Sequence, residues 1–279
     1  MTTVCPQRQS YAKLLPLGAA IFLLFVTGCA GTPEPRTQLD AIRGSDTLRV
    51  GTTGDFAPFS YRHDGSDTLY GVDIGFARKL ADGLGVKVEF VQTSWPELMD
   101  DLLADRFDIG MSGITITPER LSVAFFSLPV MSSGKVAITR DENAHRFRTI
   151  PDINRAGVRV IVNPGGTNEA FARANFPQAT IVLNEENLTV FDKIISGDVD
   201  LMVTDAVEAA VQEVVYPGLE ISNRESPFNT FEFGLLMPRD QELKNYVDDW
   251  LEEQRTSQTY RQLFDAELLM IETRANTDG

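Results

Sequence analysis

Forty acidic against 25 basic side chains in 279 residues give this chain a formal net charge of −15. That balance excludes nucleic-acid binding and a polybasic hold on anionic membrane, since both need clustered Lys and Arg. The two histidines, His63 and His145, sit in polar stretches without metal-ligand spacing, so neither a metal nor another cofactor is expected.

In chain order, Arg8 and Lys13 precede an apolar run from Leu14 to Val26 that ends in "TGC". The run has the length of a signal-peptide core and is short for a membrane span. "VTGC" resembles the lipobox of bacterial lipoproteins, which implies that residues 1–28 are a lipoprotein signal peptide and that Cys29 becomes the lipidated first residue. Loss of Arg8 and Lys13 leaves the remainder still more acidic, and loss of Cys5 leaves no disulfide. Residues 29–38, with Pro33 and Pro35, read as a tether to the membrane. The expected location is periplasmic or extracytoplasmic, anchored by lipid at Cys29.

From Leu48 strands and helices alternate. "LRVGTT" predicts a strand, "DIGFARKLADGLG" a helix with Ile74, Ala77, Leu80, Ala81 and Leu84 on one face, and "VKVEFVQT" a second strand. "PELMDDLLADR" and "FDIGMSG" continue as helix and buried strand. The rhythm resumes with "GVRVIVNPGG", "NEAFARANF", "TIVLN", "TVFDKIISG", "DLMVTD" and "AVEAAVQEVV". Two extended segments, "FFSLPVMSSGKVAITR" and "FEFGLLMPRD", interrupt it. The pattern predicts an α/β fold of two lobes with parallel-rich sheets, joined by a two-strand hinge: residues 39–131 with 233–279, and residues 132–232. A cleft between the lobes, at the carboxyl ends of strands, is where a ligand would bind.

Several stretches converge on such a cleft. Asp55 and Phe56 follow the first strand, and Trp95 stands at a helix entrance; an Asx turn and a helix staple are equally good readings of Asp55 and Trp95. Ser112 and Thr115 flank a strand end ahead of Arg120, whose guanidinium fork matches a carboxylate. In "NPGGTNEAF", two glycines lead into a helix start at Thr167 and Asn168, a setting suited to an anion. Asp205 and Glu208 open another helix with the spacing of a capping box, which competes with a role for Glu208 as an acid facing a ligand.

"GTTGDFAPFSY", "YGVDIGFARKLADGLG", "MSGITITPER" and "DLMVTDAVEA" resemble the amino-acid-binding family of periplasmic solute-binding proteins over nearly everything from Leu39 onward. The resemblance implies a periplasmic-binding-protein-like fold, with Arg120 and Thr167 on a ligand α-carboxylate and Asp205 receiving an α-amino group. "TSWPELM", "RFDIGMSGI" and "VNPGGTNEAFARAN" are similar, more narrowly, to the cyclohexadienyl dehydratases, exported enzymes on this fold that make phenylpyruvate from prephenate and phenylalanine from arogenate. That resemblance implies Glu208 as general acid, supported by Asn163, Asn168, Asp55 and Lys135, with Trp95, Ser112 and Arg120 lining the pocket. Phe56 and Ala170 depart from the tyrosine and lysine of such enzymes, which bears on pocket shape.

The chemistry is coherent with one proton donor. Loss of the C4 hydroxyl is helped by protonation, loss of carbon dioxide from C1 supplies electrons, and aromatisation drives the step. A glutamate serves at neutral pH when burial and a neighbouring negative charge favour its protonated form. The competing expectation is an amino-acid-binding lipoprotein that delivers its ligand to an ABC permease. In either case the partner is a small carboxylate: prephenate, arogenate or an amino acid.

Overall fold

In the computed structural model, residues 37–63 and 66–278 are described, together with Thr2. The expected signal segment, most of the tether and Cys29 lie outside the described residues. Thr47–Thr52 runs parallel to Lys87–Gln92 on one side and to Ile109–Gly110 on the other. Leu236–Met237 and Phe125–Phe126 complete that five-stranded sheet in antiparallel sense. Burial explains the register: Val50 is fully buried and pairs with Phe90 and Ile109. The helix Val72–Leu84 lays Phe76, Ala77, Leu80 and Ala81 on the sheet and stops at Gly85, which takes a left-handed conformation and returns its N–H to the last turn. Each such fully buried large side chain contributes ~1.5–3 kcal/mol, the term a domain without disulfides depends on.

The second sheet repeats the plan. Thr180–Leu183, Arg159–Val162 and Leu201–Asp205 are parallel neighbours, and Lys135–Arg140 with Leu219–Ile221 join them antiparallel. Each sheet is therefore parallel where strand and helix alternate and antiparallel where chain arrives from the other sheet. Met131–Ser133 pairs with Phe231–Phe233 between the sheets, the expected two-strand connection. The final region forms two helices, Gln241–Thr256 and Thr259–Asp278. Ile271 and Leu268 of the last helix pack with Tyr61 from the first lobe and Val211 from the second, so this helix touches both. Among the described residues, no helix is long and apolar enough to cross a membrane.

Candidate active site between the lobes

Local sequence sets each group in place. Thr117 caps the short helix Pro118–Leu121, its side chain accepting from the Arg120 backbone, and Pro118 fills the first turn. Arg120 is thereby turned inward at 9% exposure, donating from Nη1 to the Thr115 carbonyl at 2.8 Å. Among the described residues it has no ion-pair partner. Burial pulls its guanidinium down to about 10, against the opposing fields of Asp205 and Glu119, so it stays charged at neutral pH. A buried, unpaired cation of this kind is suited to a ligand carboxylate.

Arg120 lines a cavity between the lobes with Phe56, Trp95, Thr115, Asn163 and Thr167. Its volume is about 20 Å³, room for roughly one water. The lobes come this close partly because of Gly165, whose φ of +77° favours glycine. A Cβ there would stand 2.6 Å from the Pro96 backbone of the other lobe. Trp95 Nε1 donates to Asp55 Oδ1 at 3.2 Å and its ring meets Phe56 edge-on, so both aromatic groups belong to the wall.

The second lobe supplies a directed chain of hydrogen bonds. Lys135, 2% exposed, pairs with Asp205 at 2.5 Å and donates to Thr167 Oγ1 at 3.0 Å and to Asn168 Oδ1. An ammonium can only donate, so the Asn168 oxygen must face it and the amide nitrogen must face away. That nitrogen donates to Thr204 Oγ1 at 3.0 Å, and Thr204 donates to Glu208 Oε2. With Oε2 occupied as an acceptor, a proton on Glu208 belongs on Oε1. Burial pushes the Glu208 carboxyl up to about 8. The Thr204 hydrogen bond and Lys135 oppose that rise, while Asp205 and Asp55 add to it. At neutral pH Glu208 is a buried acid that carries its proton.

The capping-box reading does not survive this geometry. Asp205 occupies the N-cap position of Ala206–Val215 but makes no side-chain cap bond, because Lys135 holds its carboxylate. Ser112 is also placed differently from expectation: it is buried against Thr53, bonded to its N–H and hydroxyl, and does not line the cavity. Asp55 and Glu208 line a second, larger cavity of about 460 Å³, which shares Asn187 with the first. Burial also raises the Asp55 carboxyl.

Three contributors escaped the sequence reading. Thr204 passes for one more residue of an apolar strand, and nothing marks its hydroxyl as a link. Asp73 accepts from the Gly113 N–H at 2.6 Å and fixes the turn that lines the cavity, although it reads as a helix-start acid. Asn187 donates from Nδ2 to the Asp55 carbonyl at 3.1 Å, across 132 residues of chain.

Two α/β lobes, a paired-strand connection and a buried arginine at the strand ends define the class of two-lobed solute-binding folds. Residues 48–267 match the bacterial extracellular solute-binding proteins, family 3, and the chain belongs to that family. It is 45% identical over 243 residues to a cyclohexadienyl dehydratase of Pseudomonas aeruginosa, a match covering 87% of this chain and 89% of that protein. Among solved structures, an ancestral amino acid-binding protein described as a precursor of cyclohexadienyl dehydratase is similar with a TM-score of 0.76 and 36% identity, over 83% of this chain and 100% of the other. An ancestral cyclohexadienyl dehydratase is 49% identical with a TM-score of 0.52, over 83% of this chain and 96% of its own.

Proposed function

We propose that this protein is a cyclohexadienyl dehydratase, a carbon–oxygen lyase that converts prephenate to phenylpyruvate or arogenate to phenylalanine. The observation that carries the reading is Glu208, a buried acid protonated through neutral pH beside the inter-lobe site. The 45% identity to the Pseudomonas aeruginosa dehydratase supports it. Substrate enters with the lobes parted about the Met131–Ser133 and Phe231–Phe233 pair, because the closed cavity holds about one water. Arg120 holds the side-chain carboxylate that the product retains. Glu208 delivers its proton from Oε1 to the C4 hydroxyl, whose C–O bond breaks to release water. The bond from C1 to its carboxylate breaks with it, carbon dioxide departs, and that electron pair completes the aromatic ring. Glu208 is left as a carboxylate and regains a proton from solvent.

An amino-acid ligand, whether carried for transport or met as arogenate, brings an ammonium that calls for a free carboxylate, whereas prephenate brings none. Asp205, the group the family resemblance assigns to that task, is already neutralised by Lys135 at 2.5 Å. The deciding experiment mixes purified protein with prephenate and follows phenylpyruvate absorbance. Turnover is expected; tight binding of an amino acid with no turnover would assign the chain to transport.

Membrane anchoring at Cys29 belongs to the same proposal. A single lipidated cysteine is the attachment, so Cys29→Ser is expected to move the protein out of the membrane fraction or to leave it unprocessed. Normal processing with unchanged membrane partitioning in fractionated cells would remove the lipid anchor.

A further inference from the structure

Among the described residues, two side-chain oxygens around the inter-lobe cavity are buried without a hydrogen-bond partner: Asn163 Oδ1 and Asn187 Oδ1. A buried acceptor left unpaired is costly and marks a place where a donor belongs. The orientation of Asn187 is not arbitrary. A carbonyl can only accept, so the bond to the Asp55 oxygen requires the amide nitrogen on that side and leaves Oδ1 as the unpaired acceptor. Asn187 is 9% exposed and lines both cavities, the second together with Glu208. Asn163 lines the inter-lobe cavity without sharing a wall with Glu208. Of the two acceptors, Asn187 is the one that shares a cavity wall with the acid.

On the basis of the dehydratase reading, we infer that Asn187 Oδ1 accepts the hydrogen of the substrate C4 hydroxyl and so turns that oxygen's lone pair toward Glu208. As Glu208 transfers its proton, the departing oxygen carries two hydrogens and gains positive character. A hydrogen bond from it to the amide oxygen strengthens during the transfer. The contact is therefore worth more in the transition state than in the bound substrate, the condition for accelerating the chemical step. The same amide ties the lobes together through Asp55, so the acceptor comes into position when the cleft closes.

A residue that merely clasps the lobes and one that reads the hydroxyl behave differently toward phenylpyruvate, which lacks the hydroxyl. Asn187→Ala is expected to lower kcat on prephenate roughly 10- to 100-fold, the scale of a charge-assisted hydrogen bond, while inhibition by phenylpyruvate changes by less than about threefold. Equal losses in phenylpyruvate affinity and kcat/KM would reduce Asn187 to a clasp, and an unchanged kcat would exclude it altogether. Should the alanine variant fail to fold, Asn187→Ser is read by the same two measurements. Wild-type protein that does not turn over prephenate overturns the dehydratase reading and this assignment together; active wild-type with an unaltered variant overturns the assignment alone.

Discussion

Glu208→Gln is expected to lower the turnover of prephenate at least about a hundredfold, the loss that follows removal of a general acid, with substrate affinity largely kept. Glutamine can still accept the Thr204 hydroxyl, so the chain from Lys135 through Asn168 to Thr204 stays intact and the melting temperature should hold. A wild-type single-turnover rate in the variant would strip Glu208 of its role. The pH profile is a second check. The folded value of about 8 lies above the ordinary carboxyl range, so the acid form persists through neutrality and is lost as pH rises through about 8. The chemical step should decline along that limb in wild-type protein, by up to about tenfold per pH unit. Stability follows the same sign: the folded chain keeps a proton that the unfolded chain releases, so this carboxyl makes folding less favourable as pH climbs from the ordinary carboxyl range toward about 8.

Arg120→Ala carries the other large effect. Removing a buried charge-assisted partner of a ligand carboxylate costs about 2 to 5 kcal/mol, which is roughly 30- to several-thousand-fold in affinity. Among the described residues Arg120 has no ion-pair partner, and its Nη1 bond to the Thr115 carbonyl ends a loop that Thr117 and Pro118 already shape. Folding should therefore tolerate the loss while binding does not. Calorimetry with prephenate or phenylpyruvate is the measurement, and unchanged affinity would place the ligand carboxylate elsewhere. Arg120→Lys is not expected to rescue fully, because an ammonium does not reproduce the planar fork.

Much of the architecture was legible along the chain. The helix Ala206–Val215 and the strand Leu201–Asp205 fall almost where the pattern puts them, because each has one uninterrupted period and a clear boundary. The strand at Leu219–Ile221 has no such signal: three residues give no period, and it is a strand because the edge of Lys135–Arg140 is there to be paired. The placing of Arg120, Thr167 and Asn168 on the cavity wall was readable for a related reason. Strand ends and helix starts are local features, and they are where exposed backbone groups and functional side chains collect in open α/β sheets.

The sequence by itself determined the helices, most strands, the two-lobed plan and the candidates at its strand ends, since periodicity and caps act over a few residues. The tertiary structure alone decided how those candidates are placed and what they touch. Asp205 and Glu208 are compatible at three-residue spacing with a capping box or with an acid, and the capping box is lost where Lys135, 70 residues earlier in the chain, takes the Asp205 carboxylate. Burial raises the Glu208 carboxyl and leaves Asn187 Oδ1 unpaired, and burial is a property of neighbours brought from across the chain, which no local pattern records.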